Sequence, residues 1–385
     1  MTEVQIVPTE RLPLSVLTGF LGSGKTTLLK ALLKHKGMEK TAVVINEFGE
    51  VGLDHLLVEQ GAEDVVLLDS GCLCCTVRSD LVKTLRSLFV RRVKGEVPEF
   101  TRLVIETTGL ADPAPILHTL MNDPLIAARF RLDGVISTVD AVHGSGQLDQ
   151  HQESVKQAAV ADRIVLTKTD LATPEAVRHL TQRLQRINPA APIKPAVLGS
   201  IEPDQLFDVG LYDPKTKSPD VRRWLNEEAY RDGPDHDEHD HDHDHDHDHD
   251  HDHGHGHEHG HEHEHDHADH DHGALDVNRH DDHIRAFCLS YDKPFEWPRI
   301  AGALDLLAQT HGPVLLRVKG ILNVVESEQP VVVHGVQHMF HPPATLPAWP
   351  DADHRSRLVF ITRDLDREQL TRTLDALLES MEAAE

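Results

Sequence analysis

The stretch Gly19–Leu29, GFLGSGKTTLL, lies between two apolar runs and decides the fold. Before it, Leu14–Thr18 has the composition of a buried strand. After it, Thr26–Lys36 carries leucines at helical spacing and stops at Gly37. The glycines therefore fall on a turn from a strand into a helix. Because a backbone without Cβ atoms can wrap its N–H groups around an anion, and a helix N-terminus adds a favourable dipole, this turn is suited to a phosphate group.

The spacing Gly19-x-x-x-x-Gly24-Lys25-Thr26 matches the phosphate-binding loop of nucleotide-hydrolysing proteins. In that motif the lysine reaches the β- and γ-phosphates and the threonine hydroxyl ligates Mg²⁺. The alternative is a glycine-rich turn with a lysine nearby, which the strand-to-helix context disfavours. We therefore predict that Lys25 and Thr26 serve a nucleotide and its magnesium ion.

Strand and helix patterns alternate along the first 200 residues, and the strands are apolar throughout. This is typical of a parallel sheet with helices on both faces, which predicts an α/β fold of the P-loop NTPase type with a mostly parallel, doubly wound sheet. The predicted strands are Thr41–Asn46, Val65–Asp69, Arg102–Glu106, Val135–Val139 and Ile164–Thr167, and the predicted helices are Asp80–Val93, Pro113–Met121, Gln150–Ala161 and Pro174–Ile187. Functional loops should gather at the carboxyl ends of the strands.

Strands and helices return near Ile284 and predict a smaller α+β domain with one sheet and helices on one face. The predicted strands are Ile284–Tyr291, Val314–Val325, Val331–Met339 and Arg357–Thr362, and the predicted helices are Arg299–Thr310 and Asp366–Met381. We thus expect a P-loop domain over 1–200, a linker over 201–283 and a C-terminal domain over 284–385.

Histidine alternates with aspartate or glutamate in residues 235–272, inside the predicted linker. This tract holds 18 of the 31 histidines and 16 acidic residues, with no lysine or arginine. It has no side chain large and apolar enough to form a core, so we expect it to be disordered without a ligand. Its imidazoles and carboxylates suit weak capture of divalent transition metals, and binding should fade as the pH falls through about 6.5. The alternative is a solubilising acidic linker.

The formal net charge of −26 comes largely from this tract, and the rest of the chain carries about −10. A nucleic-acid binder would need a basic face, so we expect no nucleic-acid partner. We find neither an apolar run long enough to cross a membrane nor a signal-peptide pattern, and three of the four cysteines are clustered rather than paired. These features favour a reducing, cytoplasmic location without a membrane partner.

Thr167-Lys168-Thr169-Asp170 follows the last strand of the alternating region. A carboxylate here can accept both N–H donors of the guanine Watson–Crick edge, which adenine lacks, while the lysine stem covers the base. The pattern favours GTP over ATP, although it is short and depends on its place after a phosphate loop.

Two further loops lie where a γ-phosphate would be sensed. Glu106-Thr-Thr-Gly109 ends a strand, and its acid can hold the Mg²⁺ water shell or orient the attacking water, unless it only caps the next helix. Asn46–Asp54 follows the second strand and carries Glu47 and Glu50. These acids are candidates for catalysis and for a metal, or are solvated loop charges. We assign Glu47 and Glu106 to catalysis beside Lys25, and Glu50 to a metal.

Three thiols stand within four residues at Cys72, Cys74 and Cys75, between a strand and a helix. Thiolates bind soft or borderline ions, of which zinc is the usual intracellular candidate. Three ligands leave a fourth position open, which suits an ion that is passed on. The alternatives are a redox pair or buried core cysteines.

The motifs GFLGSGKTT, INEFGEVGLD, GCLCC, VIETTGLADP and LTKTD occur in an order and at spacings similar to those of the CobW-type metallochaperone GTPases, especially bacterial zinc-binding members. The C-terminal runs Leu316–Gly320 and Arg357–Ile361 resemble that family's second domain. The resemblance implies slow GTP hydrolysis coupled to metal delivery, with the CxCC segment as the metal site. It also implies that Glu47 and Glu50 are switch acids. The residues that it places at the nucleotide are Gly19, Gly22, Ser23, Gly24, Lys25, Thr26, Thr27, Thr108, Thr167, Lys168, Thr169 and Asp170.

We therefore predict a GTPase that uses Mg²⁺ and transfers zinc to a client apoprotein, with the nucleotide state controlling metal affinity. One alternative is a GTPase of the same kind that delivers Co²⁺ for cobalamin assembly or to a cobalt enzyme. Others are a metal storage or buffer protein and a regulatory GTPase unrelated to metals.

Overall fold

The strand that precedes the glycine-rich loop lies at the centre of a seven-stranded sheet in which every pairing is parallel. The computed structural model describes residues 11–45, 66–69, 77–207 and 283–382. The strand order is β3-β2-β4-β1-β5-β6-β7. The strands are β1 (Leu12–Gly19), β2 (Thr41–Ile45), β3 (Val66–Asp69), β4 (Arg102–Glu106), β5 (Phe130–Asp140), β6 (Arg163–Thr167) and β7 (Ile193–Ala196).

Helices cover both faces of this sheet, which explains why its strands are apolar throughout. In β4, Val104 packs on the side of the first helix, whereas Leu103 and Ile105 pack on the opposite side. The helices are α1 (Lys25–Leu33), α2 (Val77–Val93), α3 (Ala114–Asn122), α4 (Pro124–Ala127), α5 (Gly144–Gln150), α6 (Gln152–Ala159) and α7 (Pro174–Ile187). The doubly wound α/β fold predicted from the sequence is thereby confirmed.

The C-terminal region forms an antiparallel sheet with two helices against one face. The path through the sheet is β11-β10-β9-β13-β8, and β12 pairs with β10. The elements are β8 (Ile284–Tyr291), α8 (Trp297–His311), β9 (Leu315–Val324), β10 (Ser327–Val336), β11 (Met339–Phe340), β12 (Ala344–Thr345), β13 (Ser356–Arg363) and α9 (Arg367–Glu382). The predicted α+β region is confirmed.

The two faces of the C-terminal sheet have different partners. Leu358 and Phe360 of β13 pack with α8 and α9, whereas Val359 and Ile361, which alternate with them, join clusters that also contain residues of the parallel-sheet region. The described residues before and after the histidine-rich tract accordingly belong to one compact unit. The domain boundaries near residues 200 and 284 stay a prediction.

A buried ionic cluster lies in the seam between the two sheets. Asp162 accepts hydrogen bonds from Arg317, from Lys319 Nζ at 2.9 Å and from the Val135 amide at 2.9 Å. Burial alone would raise the pKa of Asp162, but the two cations outweigh it and lower the pKa to about 2. Burial and the Arg317 charge lower the pKa of Lys319 to about 8, although the Asp162 carboxylate acts in the opposite direction. The neighbouring His334 is buried too, and burial with the Lys319 charge holds its pKa well below the usual value.

Candidate nucleotide-binding site

The parallel register brings the predicted motifs to one edge of the sheet. Glu106 at the end of β4 is aligned with Leu17 of β1 on one side and with Ile45 of β2 on the other. On the far side of β1, Gly19 is aligned with Thr138 of β5. Because parallel strands end together, the loops that follow β1, β4, β5 and β6 face a common crevice.

The glycine-rich loop ends in a residue that only glycine adopts easily. Gly24 has φ 91°, in the left-handed region, and α1 starts at the next residue. Gly24 has no side chain that could cap the start of α1, and a helix N-terminus favours an anion. Lys25 Nζ donates to the carbonyl oxygens of Gly19 at 2.9 Å and Phe20 at 3.1 Å, which curls the loop around its ammonium group.

The loop is fixed to the neighbouring strands by buried hydroxyl groups. The hydroxyls of Ser23 and Thr138 share a hydrogen bond of 2.6 Å, and Thr167 Oγ1 donates to the Ser23 carbonyl at 2.7 Å. Ser23 is fully buried, so in this structure its hydroxyl holds the loop in place. Thr27 is exposed in the first turn of α1. Gly22 lies at the loop tip, where its carbonyl accepts from Lys168.

Thr26 and Glu106 meet at the base of the crevice. Thr26 Oγ1 donates to Glu106 Oε1 at 2.8 Å, although the two residues are 80 positions apart. The Glu106 side chain is only 1% exposed. A hydroxyl and a buried carboxylate are oxygen groups of the kind that Mg²⁺ takes directly or through its water shell, so this pair fits the ion implied by the loop motif.

The loop after Glu106 rests against the glycine-rich loop. A Cβ on Gly109 would lie 2.7 Å from the Leu21 amide nitrogen, so this contact requires glycine. Gln157 of α6 is buried, and its Nε2 donates to the carbonyl oxygens of Gly109 at 3.1 Å and Ala111 at 3.0 Å. Thr108, which precedes Gly109, is partly exposed. Sequence reasoning missed Gln157, because nothing local distinguishes it from other glutamines on a helix.

The loop after β6 is tied to the same crevice. Thr167 is buried and bonds to the glycine-rich loop, while Lys168 Nζ donates to the Gly22 carbonyl at 2.8 Å and to Asp140 Oδ2 at 2.6 Å. Thr169 is partly exposed, and Asp170 is exposed, where a base could approach it. Asp140 was also missed, because the predicted strand ended at Val139 and the residue closes β5.

Several predicted residues lie outside the described residues. These are Glu47 and Glu50, the thiols Cys72, Cys74 and Cys75, and the tract 235–272. Within the described ranges, no group of three or more histidine, cysteine or acidic side chains is placed to hold a metal ion. Cys288 is buried in the seam, where its thiol contacts the Leu289 carbonyl. No helix in the described parts of the chain is long and apolar enough to cross a membrane.

The fold and this crevice define a nucleotide-binding protein of the P-loop class. Residues 13–195 match the family described as CobW/HypB/UreG, nucleotide-binding domain, and residues 284–378 match the cobalamin synthesis protein cobW C-terminal domain. The chain belongs to the CobW-type family, as its sequence motifs predicted.

Similar proteins include zinc chaperones. The zinc chaperone YjiA of Escherichia coli is 44% identical over 194 residues, which are 50% of this chain and 60% of that protein. The zinc-regulated GTPase metalloprotein activator 1 of Schizosaccharomyces pombe is 35% identical over 208 residues, 52% of this chain and 49% of that protein. The chain therefore spans about half of the length of the curated relatives it matches. The crystal structure of Zn(II)-bound YjiA GTPase from E. coli covers 95% of this chain and 99% of its own, with a TM-score of 0.63 and 27% identity.

Proposed function

We propose that this protein is a GTP-hydrolysing metallochaperone that binds zinc through Cys72, Cys74 and Cys75 and passes it to a client apoprotein. The observation that carries the proposal is the Thr26–Glu106 hydrogen bond, because it joins the glycine-rich loop to the sheet edge from which the thiol segment departs. The names of the E. coli and S. pombe relatives support the choice of zinc and GTP.

The distance from the crevice to the thiols is limited by chain geometry. Asp69, the last residue of β3, is aligned with Ile45, which is aligned with Glu106. Neighbouring strands lie about 4.8 Å apart, so the backbone of Asp69 is about 10 Å from that of Glu106. Cys72 is the third residue after Asp69 along the chain and lies outside the described residues. We infer that a change at the phosphate edge is passed to the thiol segment through the end of β3, which is two strands away from Glu106 in the sheet.

In the proposed reaction a water oxygen attacks the γ-phosphorus of GTP, and the bond to the β–γ bridging oxygen breaks to leave GDP and inorganic phosphate. The N–H groups of the glycine-rich loop and of α1 orient the phosphates, and the Lys25 ammonium moves from its carbonyl acceptors to phosphate oxygens. Thr26 would hold Mg²⁺ and Glu106 its water shell. The bound ion would offset the phosphate charge. Glu47 remains our further candidate for a catalytic acid, and Glu50 a candidate metal ligand.

Guanine selection is assigned to the loop after β6. Asp170 is exposed at the rim, where its carboxylate can accept the two N–H groups of the guanine edge. Lys168 is held against the glycine-rich loop, so that its aliphatic stem forms one wall for the base. The proposed location is the cytoplasm, where the thiols would stay reduced.

Nucleotide control of the metal site is tested by measuring zinc affinity in two states. The full chain, loaded with GDP or with a non-hydrolysable GTP analogue, is titrated against a competing zinc chelator. We expect at least a fivefold difference in affinity between the two states, which corresponds to the lower end of usual coupling free energies. Equal affinities would refute the gating.

The same titration identifies the ligands. Replacing Cys72, Cys74 and Cys75 by serine should abolish the nucleotide-dependent site, whereas the matched control Cys288→Ala should retain it because that thiol is buried in the seam. A solved YjiA variant with one glutamate and two cysteines replaced by alanine is also described as Zn(II)-bound. Zinc retention alone is thus a poor criterion, and the dependence of affinity on nucleotide is the decisive one. The metal bound in protein purified from cells decides between zinc and cobalt.

A further inference from the structure

Asp140 is a buried carboxylate at the carboxyl end of β5, beside the loop that carries Lys168. Its Oδ2 accepts from Lys168 Nζ at 2.6 Å and contacts His143 Nδ1 at 3.2 Å. Its Oδ1 accepts from the amides of Val142 at 2.8 Å and His143 at 3.2 Å. The side chain is only about 2% exposed, so these bonds replace its hydration.

The carboxylate is charged in this environment. Burial alone would raise the pKa of Asp140, but the hydrogen bonds from Lys168, Val142 and His143 together lower it below its usual value. The bond to Lys168 is therefore charge-assisted and stronger than a bond between neutral groups.

Lys168 is held at both of its ends. Its backbone has φ 55°, a left-handed conformation that costs energy for a residue with a side chain, and its carbonyl accepts from the Leu171 amide at 3.0 Å. Its ammonium lies between Asp140 and the carbonyl oxygen of Gly22 in the glycine-rich loop, 2.8 Å away. The two ends of this long, flexible side chain are thus fixed by separate contacts.

We propose that Asp140 is a positioning residue for nucleotide binding, which holds the Lys168 ammonium against the Gly22 carbonyl and so sets the lysine stem as a wall of the base pocket. This inference rests on the proposed function, since it takes the Lys168 loop as the base-binding loop. Asp140 does not touch the base in this arrangement. Its loss should weaken nucleotide binding only through Lys168.

A double-mutant cycle tests this dependence. The full chain, Asp140→Asn, Lys168→Met and the double variant are titrated with the fluorescent nucleotide mant-GDP. Asparagine keeps an acceptor for the Val142 and His143 amides but removes the charge that holds Lys168. We expect about a tenfold rise in Kd for Asp140→Asn, the scale of one lost hydrogen bond to a charged group. We expect the double variant to bind within about twofold of Lys168→Met.

The matched control is Asp149→Asn in α5. This aspartate also forms an ion pair, 2.7 Å from Arg183 of α7, whose Nη1 donates to the Ser145 carbonyl of α5. We expect the Kd of Asp149→Asn for mant-GDP to stay within about twofold of the wild-type value, because a partly exposed ion pair contributes little. If it weakens binding as much as Asp140→Asn, the effect is a general loss of negative charge and the proposal fails.

The remaining outcomes are equally decisive. Unchanged affinity of Asp140→Asn, unchanged affinity of Lys168→Met, or additive losses in the double variant would overturn the proposal. If Asp140→Asn does not fold, Asp140→Ser takes its place in the cycle, and failure of both to fold would make Asp140 a structural residue. Titration of the wild type with mant-ADP separates the proposed guanine specificity from the proposed role of Asp140. If adenine binds better, GTP specificity fails, while the cycle repeated with mant-ADP still decides the Asp140–Lys168 coupling.

Discussion

Replacing Asp162 by asparagine should destabilise the seam between the two sheets. The side chain is buried, and its ordinary pKa of 3.8 falls to about 2 in the folded protein because Arg317 and Lys319 stabilise its charged form. A difference of almost two pKa values corresponds to roughly 2–3 kcal/mol of folding free energy at neutral pH. Removing one partner of a buried ion pair usually costs about 3–5 kcal/mol, so we expect a loss between about 2 and 5 kcal/mol.

The assay is equilibrium unfolding in urea at pH 7, followed by far-ultraviolet circular dichroism. Glu368→Gln is the matched control, because that acid forms an exposed ion pair with Arg372 at 3.5 Å and should change the free energy of unfolding by less than about 1 kcal/mol. Adding Arg317→Met to Asp162→Asn should recover about 1 kcal/mol or more, since one of the two buried cations is removed as well.

The contribution of Asp162 to the free energy of unfolding should change with pH in one direction. Because the pKa of Asp162 is lower in the folded protein than in the unfolded chain, its contribution is fully present above pH 3.8 and disappears as the pH falls through about 2. The difference in unfolding free energy between wild type and Asp162→Asn should therefore become smaller as the pH is lowered from 3.8 to about 2. A variant within about 1 kcal/mol of wild type at pH 7, or no recovery on removing Arg317, would refute the role given to this ion cluster.

Three further predictions concern the nucleotide-binding site and the histidine-rich tract. Glu106→Gln should raise the Mg²⁺ concentration for half-maximal GTP turnover about 10–100-fold, because the Thr26 hydroxyl loses its charged acceptor, and an unchanged magnesium titration would contradict this. Gln157→Leu should lower single-turnover hydrolysis while GDP affinity stays within about threefold, since the side chain supports the Gly109 loop and not the base; a parallel loss of both would show a general defect. Deleting 235–272 should leave GTP hydrolysis intact and reduce the number of zinc ions bound at pH 7.5, whereas the wild type should lose the extra ions as the pH falls through about 6.5. Lost hydrolysis in the deletion would show that the tract belongs to the catalytic part.

The best-predicted elements carry their own boundary signals. Helix α7 begins and ends where the sequence placed it, Pro174–Ile187, because Thr173 caps it by accepting from the Ala176 amide at 3.2 Å and Pro174 follows in the first turn. Strands β4 and β8 also match their predicted bounds, since polar or charged residues flank each apolar run. Local chemistry was enough in these cases.

The sequence prediction was wrong where a distant contact overrides the local pattern. Gln150–Ala161 was predicted as one helix, but the chain is extended at His151, so that Gln150 ends α5 and the following helix, α6, runs only from Gln152 to Ala159. The His151 ring stacks on Phe20 of the glycine-rich loop with centroids 4.4 Å apart, a contact that an unbroken helical pattern does not indicate. Strand β7 was missed because Pro195 lowers its strand propensity, although proline is tolerated at a sheet edge.

The residues of the candidate site likewise include some that the sequence predicted and some that it missed. The motif residues Lys25 and Glu106 were predictable because each follows a strand in a pattern with a known chemical role. Asp140 and Gln157 were not, because their partners are 28 and 48 positions away along the chain and only the fold brings them together. Supporting residues of this kind become visible once the sheet register is known.

The alternating burial of β13 has a practical consequence for anyone who shortens this protein. Residues 284–385 should not fold well when expressed alone. Val359 and Ile361, which pack against the parallel-sheet region in the whole chain, would then form an exposed hydrophobic surface prone to aggregation. The same holds for the first half of the chain, whose Asp162 would lose both cations at once. Experiments on either half are therefore better done by point substitution in the whole polypeptide than by cutting it in two.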